Sequence, residues 1–167
     1  MRVIAIDPGT TKSGYIVLSD GQVTSGEVAD NAHLEYLLRT TEHFRDLDHC
    51  VIEMIASYGM PVGREVFETC VWIGRFMAAF GPSKCDRMFR GDVKRHLCQS
   101  PRAKDPHVWQ ALLDRYGPGK EKAVGSKKNP GPLYGITSHQ RAALAVAVCW
   151  IDGVRSKVSI EQTEASE

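Results

Sequence analysis

The sequence has no CxxC pair, no recognisable repeat and no apolar run near the roughly 18 residues that a membrane-spanning helix needs. Its five cysteines, Cys50, Cys70, Cys85, Cys98 and Cys149, are an odd number with irregular spacing. That argues against a disulfide framework or a zinc site and predicts reduced, mostly buried thiols. The stretch "MRVIAIDPG" enters a strand pattern at once, without a signal-peptide h-region, so a cytoplasmic location and no membrane partner are expected. With 43% hydrophobic and 25% charged residues in 167, the chain is long enough to bury one ordinary core. One domain is expected over residues 1–156, followed by an acidic, flexible tail over residues 157–167.

The net charge of +1 is small, but it is unevenly spread. Between Lys84 and Lys128 stand twelve Lys or Arg against five Asp or Glu, a local excess of +7. Lys94, Arg95, Arg102, Lys104, Lys120, Lys122, Lys127 and Lys128 carry most of it. One face built for a polyanion is one reading, and an ordinary solvated, lysine-rich surface is the other.

Three short β-branched runs, "RVIAID", "GYIVLSD" and "GQVTSGEV", read as an antiparallel meander. A helix follows through "AHLEYLLRTTEHF", with Asp30 or Asn31 as cap, and then a buried strand, "HCVIEMI". From Val62 to Phe80 the pattern predicts a long helix with a stripe of Val66, Cys70, Ile73, Met77 and Phe80. Phe67, Val71 and Phe76 lie beside that stripe. A face so wide predicts burial both against the sheet and against a second copy of the chain. "KCDRMFR" reads as a weak fifth strand, and "DVKRHLC" and "KDPHVWQALLDRYG" as helices. "PGKEKAVGSKKNPGPLYG" reads as a mobile loop, and "TSHQRAALAVAVCWIDGV" as a closing helix. This order predicts an α/β fold: a mixed five-stranded sheet, with a three-strand antiparallel meander plus parallel strands and helices on both faces.

Three residues stand where chemistry could sit. Asp7 ends the first strand, Glu53 lies near the end of the fourth, and His139 begins the last helix. If the first and fourth strands are parallel neighbours, both carboxylates reach the same sheet edge, where open α/β sheets place their sites. Two carboxylates and an imidazole suit one or two Mg²⁺ or Mn²⁺ ions, a pairing able to hydrolyse phosphodiesters. Asp-Pro-Gly also fits a plain turn, a salt bridge would satisfy Glu53, and His139 fits an exposed position near a helix cap.

The segments "IAIDPGTTKSGYIVL", "CVIEMI", "DVKRHLCQSPRAKDPHVWQALLDRYG" and "SHQRAALAVAVCW" together resemble the RuvC-type Holliday-junction resolvases, most of all their compact phage-borne branch. The resemblance spans most of Arg2 to Trp150. It implies an RNase H-like fold, a homodimer, branched DNA as partner and two Mg²⁺ or Mn²⁺ ions. It implies Asp7, Glu53 and His139 as metal ligands, with Lys94 near the scissile phosphate and Lys104 or Asp105 near a second lysine position. Tyr58 and Met60 fall where the family wedges side chains into the branch point. The last helix departs from the common pattern: Ala142 stands where many members have a second acidic residue, and His139 where they have Asp. Other branched DNA, RNA–DNA hybrids, or junction binding with weak catalysis are the alternatives. "DPGTTKSG" also resembles the first phosphate segment of actin-like ATPases and sugar kinases. No second such motif follows, so no nucleotide cofactor is expected.

Overall fold

A computed structural model describes residues 1–57, 59 and 61–164. Strands β1 (Arg2–Asp7), β2 (Lys12–Ser19) and β3 (Gln22–Asp30) form the meander, and β4 (His49–Met54) and β5 (Cys85–Phe89) complete a sheet of order β3-β2-β1-β4-β5. β1 is antiparallel to β2 and parallel to β4, and β4 is parallel to β5. The mixed sheet expected from the sequence is therefore present.

Strand alternation sorts the core into two layers. Ile4, Ile6, Cys50 and Ile52 point to one face, under α1 (Asn31–Thr40), α2 (Glu42–Arg45) and α3 (Arg64–Phe80). Val3, Ala5 and Val51 point to the other, with α4 (Arg90–Cys98), α5 (Asp105–Tyr116), α6 (Lys120–Ala123) and α7 (Ser138–Glu164). Asp7 and Glu53 continue the second series and so belong to the α7 side. Helix α7 lies across β1 and β2. Midway along, it is fixed where Trp150 stacks on His49, ring centroids 4.4 Å apart, and donates from Nε1 to Asp86 at 2.7 Å. It runs past residue 156, where the sequence pattern ends the domain.

Three local expectations change. The helix after β3 is two helices, because Thr41 takes an extended conformation (φ −88°, ψ 123°) and its N–H closes the last turn on the Leu37 carbonyl. The buried side of α3 is Thr69, Ile73 and Phe76, while Phe67 and Val71 face outward with 63% and 61% exposure. The helix is thus rotated from the expected stripe, which apolar residues on several sides had left poorly defined. The glycine- and lysine-rich segment is fastened rather than structureless. Gly125 and Pro130 form a bridge, Leu133 N–H bonds the Ala123 carbonyl at 2.8 Å, and both Ala123 and Leu133 sit in the core.

Gly14 pairs with Asp7 across the hairpin and lies under the start of α7. A Cβ there would stand 2.6 Å from the His139 Cβ and 2.7 Å from its carbonyl carbon, closer than packed atoms allow. Gly14→Ala is therefore expected to push the N-terminal turn of α7 off the sheet and to cost about 1–3 kcal/mol. Thermal denaturation checks the cost, and the chemical shift of the His139 ring checks the displacement. An unchanged shift would mean that α7 does not need this close approach.

Candidate active site

The parallel register pairs Ile6 with Ile52, and one step further along it brings Asp7 beside Glu53. The turn after Asp7 is held by a buried network. Gly9 N–H donates to Ser13 Oγ at 3.3 Å, Ser13 Oγ–H donates to Asn31 Oδ1 at 2.6 Å, and Asn31 Nδ2 returns to the Gly9 carbonyl at 2.9 Å. A Cβ on Gly9 would meet the Lys12 carbonyl oxygen at 2.4 Å. The "DPGTTKS" stretch is thus a turn and a site at once, its glycine and serine shaping the backbone that presents Asp7.

His139, in the first turn of α7, places Nδ1 3.0 Å from Asp7 Oδ2. Both Glu53 oxygens accept from Arg90 Nη1, at 3.0 and 3.1 Å. Arg90 also donates from Nη2 to Asp105 Oδ1 at 2.7 Å, and Lys94 Nζ stands 3.5 Å from the same oxygen. Burial pushes the Asp7 carboxyl above its ordinary range, opposed by the hydrogen bond from His139 and the charges of His139 and Arg90. Burial likewise raises Glu53, with the Arg90 charge opposing and the Asp7 charge adding. Asp105 is held below its ordinary range, chiefly by the hydrogen bond from Arg90. Two desolvated carboxylates side by side are costly unless a cation shares them.

Of the donor set, the two carboxylates have the hardness that Mg²⁺ or Mn²⁺ prefers, and the imidazole, a softer donor, tilts the set toward Mn²⁺. Among the described residues, no three His, Cys, Asp or Glu side chains stand close enough together to hold an ion as placed. Arg90 holds both Glu53 oxygens, and a cation shared by Asp7 and Glu53 would compete with that guanidinium.

Asp7, Glu53, His139 and Lys94 are thus brought to one place. Arg95 lies further along α4, paired with Asp92 at 2.8 Å. Arg102 is exposed before α5, and Lys104 caps it. Lys120 and Lys122 are exposed on α6, and Lys127 and Lys128 in the bridged loop after it. Tyr58 and Met60 lie outside the described residues. Arg90 is the residue that sequence reasoning missed. It follows the apolar end of β5, and only the β4–β5 register, with Met54 opposite Phe89, reveals that it lands next to Glu53.

Arg90→Ala would leave Glu53, 8% exposed, without its cation. Loss of one partner of a fully buried pair costs about 3–5 kcal/mol. Arg90 is 34% exposed, so solvent screening brings the expected loss to about 2 kcal/mol, or about 4–8 °C in Tm. Calorimetry should also show that Glu53→Gln added to Arg90→Ala recovers most of that loss. An unchanged Tm in Arg90→Ala would mean that the pair adds nothing to stability.

A five-stranded mixed sheet of this order, with helices on both faces and two carboxylates at the ends of its central parallel strands, defines an RNase H-like fold of the RuvC kind. Among the solved structures it is similar to are two of Thermus thermophilus RuvC. One, of the protein alone, superposes with a TM-score of 0.67 at 19% identity, covering 94% of this chain and 97% of that one. The other, T. thermophilus RuvC in complex with Holliday junction substrate, gives 0.65 at 19% identity over 89% of this chain and 92% of that one. No protein-family model matches the sequence, and neither does any curated protein.

Proposed function

We propose that this chain is a metal-dependent endonuclease that resolves four-way DNA junctions as a homodimer. The observation that carries the proposal is the convergence of Asp7, Glu53 and His139 at one sheet edge, on a fold like that of a protein solved with a Holliday junction. Asp7 and Glu53 would hold Mg²⁺ or Mn²⁺, which supplies charge for the transition state and lowers the pKa of a water nucleophile. His139 keeps Asp7 oriented through Nδ1 and leaves its other nitrogen free to bind the ion or to take a proton from that water. Lys94 and Arg90 offer cationic contacts to the phosphate being cut. Lys104 and the exposed lysines 120, 122, 127 and 128 track the backbone further out, with Arg95 and Arg102. The chain acts without a nucleotide cofactor, and no helix among the described residues is long and apolar enough to cross a membrane.

A labelled synthetic junction, beside linear duplex, flap and RNA–DNA hybrid, tests this with Mg²⁺, Mn²⁺ or EDTA. Paired symmetric nicks on the junction alone, and only with metal, are expected. Neutralising Lys120, Lys122, Lys127 and Lys128 together should lower the slope of log affinity against log salt by about 1 for each phosphate that is no longer neutralised. Cleavage of the linear duplex at an equal rate would overturn junction selectivity. A second reading, a junction binder with weak catalysis, is favoured by Ala142 and by the hold of Arg90 on Glu53. Tight binding without nicks in either metal would decide for it.

A further inference from the structure

A cleft of about 280 Å³ opens beside the site, between the first turns of α5 and α7. Arg90 and Asp105, bonded to one another beside Glu53, are part of its lining. One side is Trp109, whose ring carries the Arg141 guanidinium 4.2 Å from its centroid. Pro106, Val108 and Ala142 make the rest largely apolar, and Ser138 completes the lining. An acidic residue at 142, one helical turn after His139, would have put charge into this wall. Alanine leaves it open and uncharged.

We propose that this cleft takes the base of a nucleotide flanking the scissile phosphate and sets a base preference there. The inference rests on the nuclease reading above. Three features select this occupant. The volume, at the low end of the roughly 300–1,000 Å³ of pockets that enclose drug-sized ligands, has room for one ring system. An indole with a guanidinium stacked on it is the kind of platform on which unstacked bases settle. Arg90, Lys94 and Arg141 draw in the attached phosphates, while the Asp105 carboxylate and Ser138 hydroxyl can read the edge of the base. A base at a branch point is already partly unstacked, so its removal from the helix costs less than from intact duplex.

The test has two arms. Junctions carrying 2-aminopurine at single positions around the crossover are bound in EDTA, and the fluorescence is read. Quenching at one position next to the cut is expected, and Ala142→Leu, which fills the cleft, should abolish it while leaving junction affinity within about threefold. In the second arm, junctions randomised around the crossover are cut with Mg²⁺ or Mn²⁺. Wild type should prefer one base at that position about tenfold, and Ala142→Leu and Trp109→Leu should flatten the preference to under threefold. Melting curves confirm that each variant folds. Wild-type cleavage without base preference, or quenching that survives Ala142→Leu, overturns the cleft proposal and leaves the nuclease reading standing. Quenching with no cleavage in any metal overturns the nuclease reading and keeps the cleft as a base-binding site.

Discussion

Asp7→Asn is expected to slow junction cleavage by about 10³-fold or more while binding stays equal or tightens. The carboxylate bonds to His139 and stands beside Glu53, so its charge is central to any shared cation. A loss of about 4 kcal/mol in transition-state stabilisation, the order that metal-ion catalysis supplies, corresponds to that factor. The fold should not suffer. Asp7 is poorly solvated and its ionised form is disfavoured, so a neutral amide of the same shape removes a cost rather than a support. Its Oδ1 can still accept from His139. Single-turnover cleavage and a melting curve check both halves: the rate collapses and Tm is unchanged or higher. A variant that cuts within threefold of wild type would remove Asp7 from the chemistry.

The second large effect is expected at Phe67 and Val71. They stand one turn apart on the outer side of α3, each more than half exposed, and the inner side of the same helix already fills the core with Ile73 and Phe76. Burying each such side chain is worth about 1.5–3 kcal/mol, and a two-fold axis makes every contact count twice. Phe67→Asp with Val71→Asp should therefore weaken self-association by at least about 10³-fold. Sedimentation would show monomers at concentrations where wild type is dimeric. Junction products should change with it, from paired nicks to single, uncoordinated ones. Because both residues point away from the core, Tm of the monomer should move by less than about 3 °C. A wild-type protein that sediments as a monomer at micromolar concentration, or a double variant that still dimerises, would sink the interface.

Much of this was readable from residue order. The β1 and β4 runs are apolar throughout and so read as strands buried on both faces, and period two puts Asp7 on the side of Val3 and Ala5 and Glu53 on the side of Val51, a shared side once the two strands are parallel neighbours. The N-terminal position of His139 on its helix was equally plain. What could not be read depends on register between distant segments. Arg90 belongs to the site only because β5 lies beside β4, and nothing in "CDRMFR" announces that neighbour. The resemblance set Lys104 or Asp105 at a second lysine position, and nothing in the sequence put Asp105 on Arg90. The orientation of α3 failed for a different reason: with apolar residues at 66, 67, 70, 71, 73, 76 and 77, several faces satisfy the period, and only packing against α1 and β4 chooses.

The contact between Asp7 and His139 joins residues 132 apart, and the cleft beside it needs α5 and α7 together. A chain stopped before residue 138, whether by a ribosome still at work or by a protease, holds both carboxylates but neither the imidazole nor the wall that Ala142 supplies. Since chains emerge N-terminus first, the site is complete only once α7 has been made. On the nuclease reading proposed above, such fragments would carry the two carboxylates without the imidazole that bonds to Asp7.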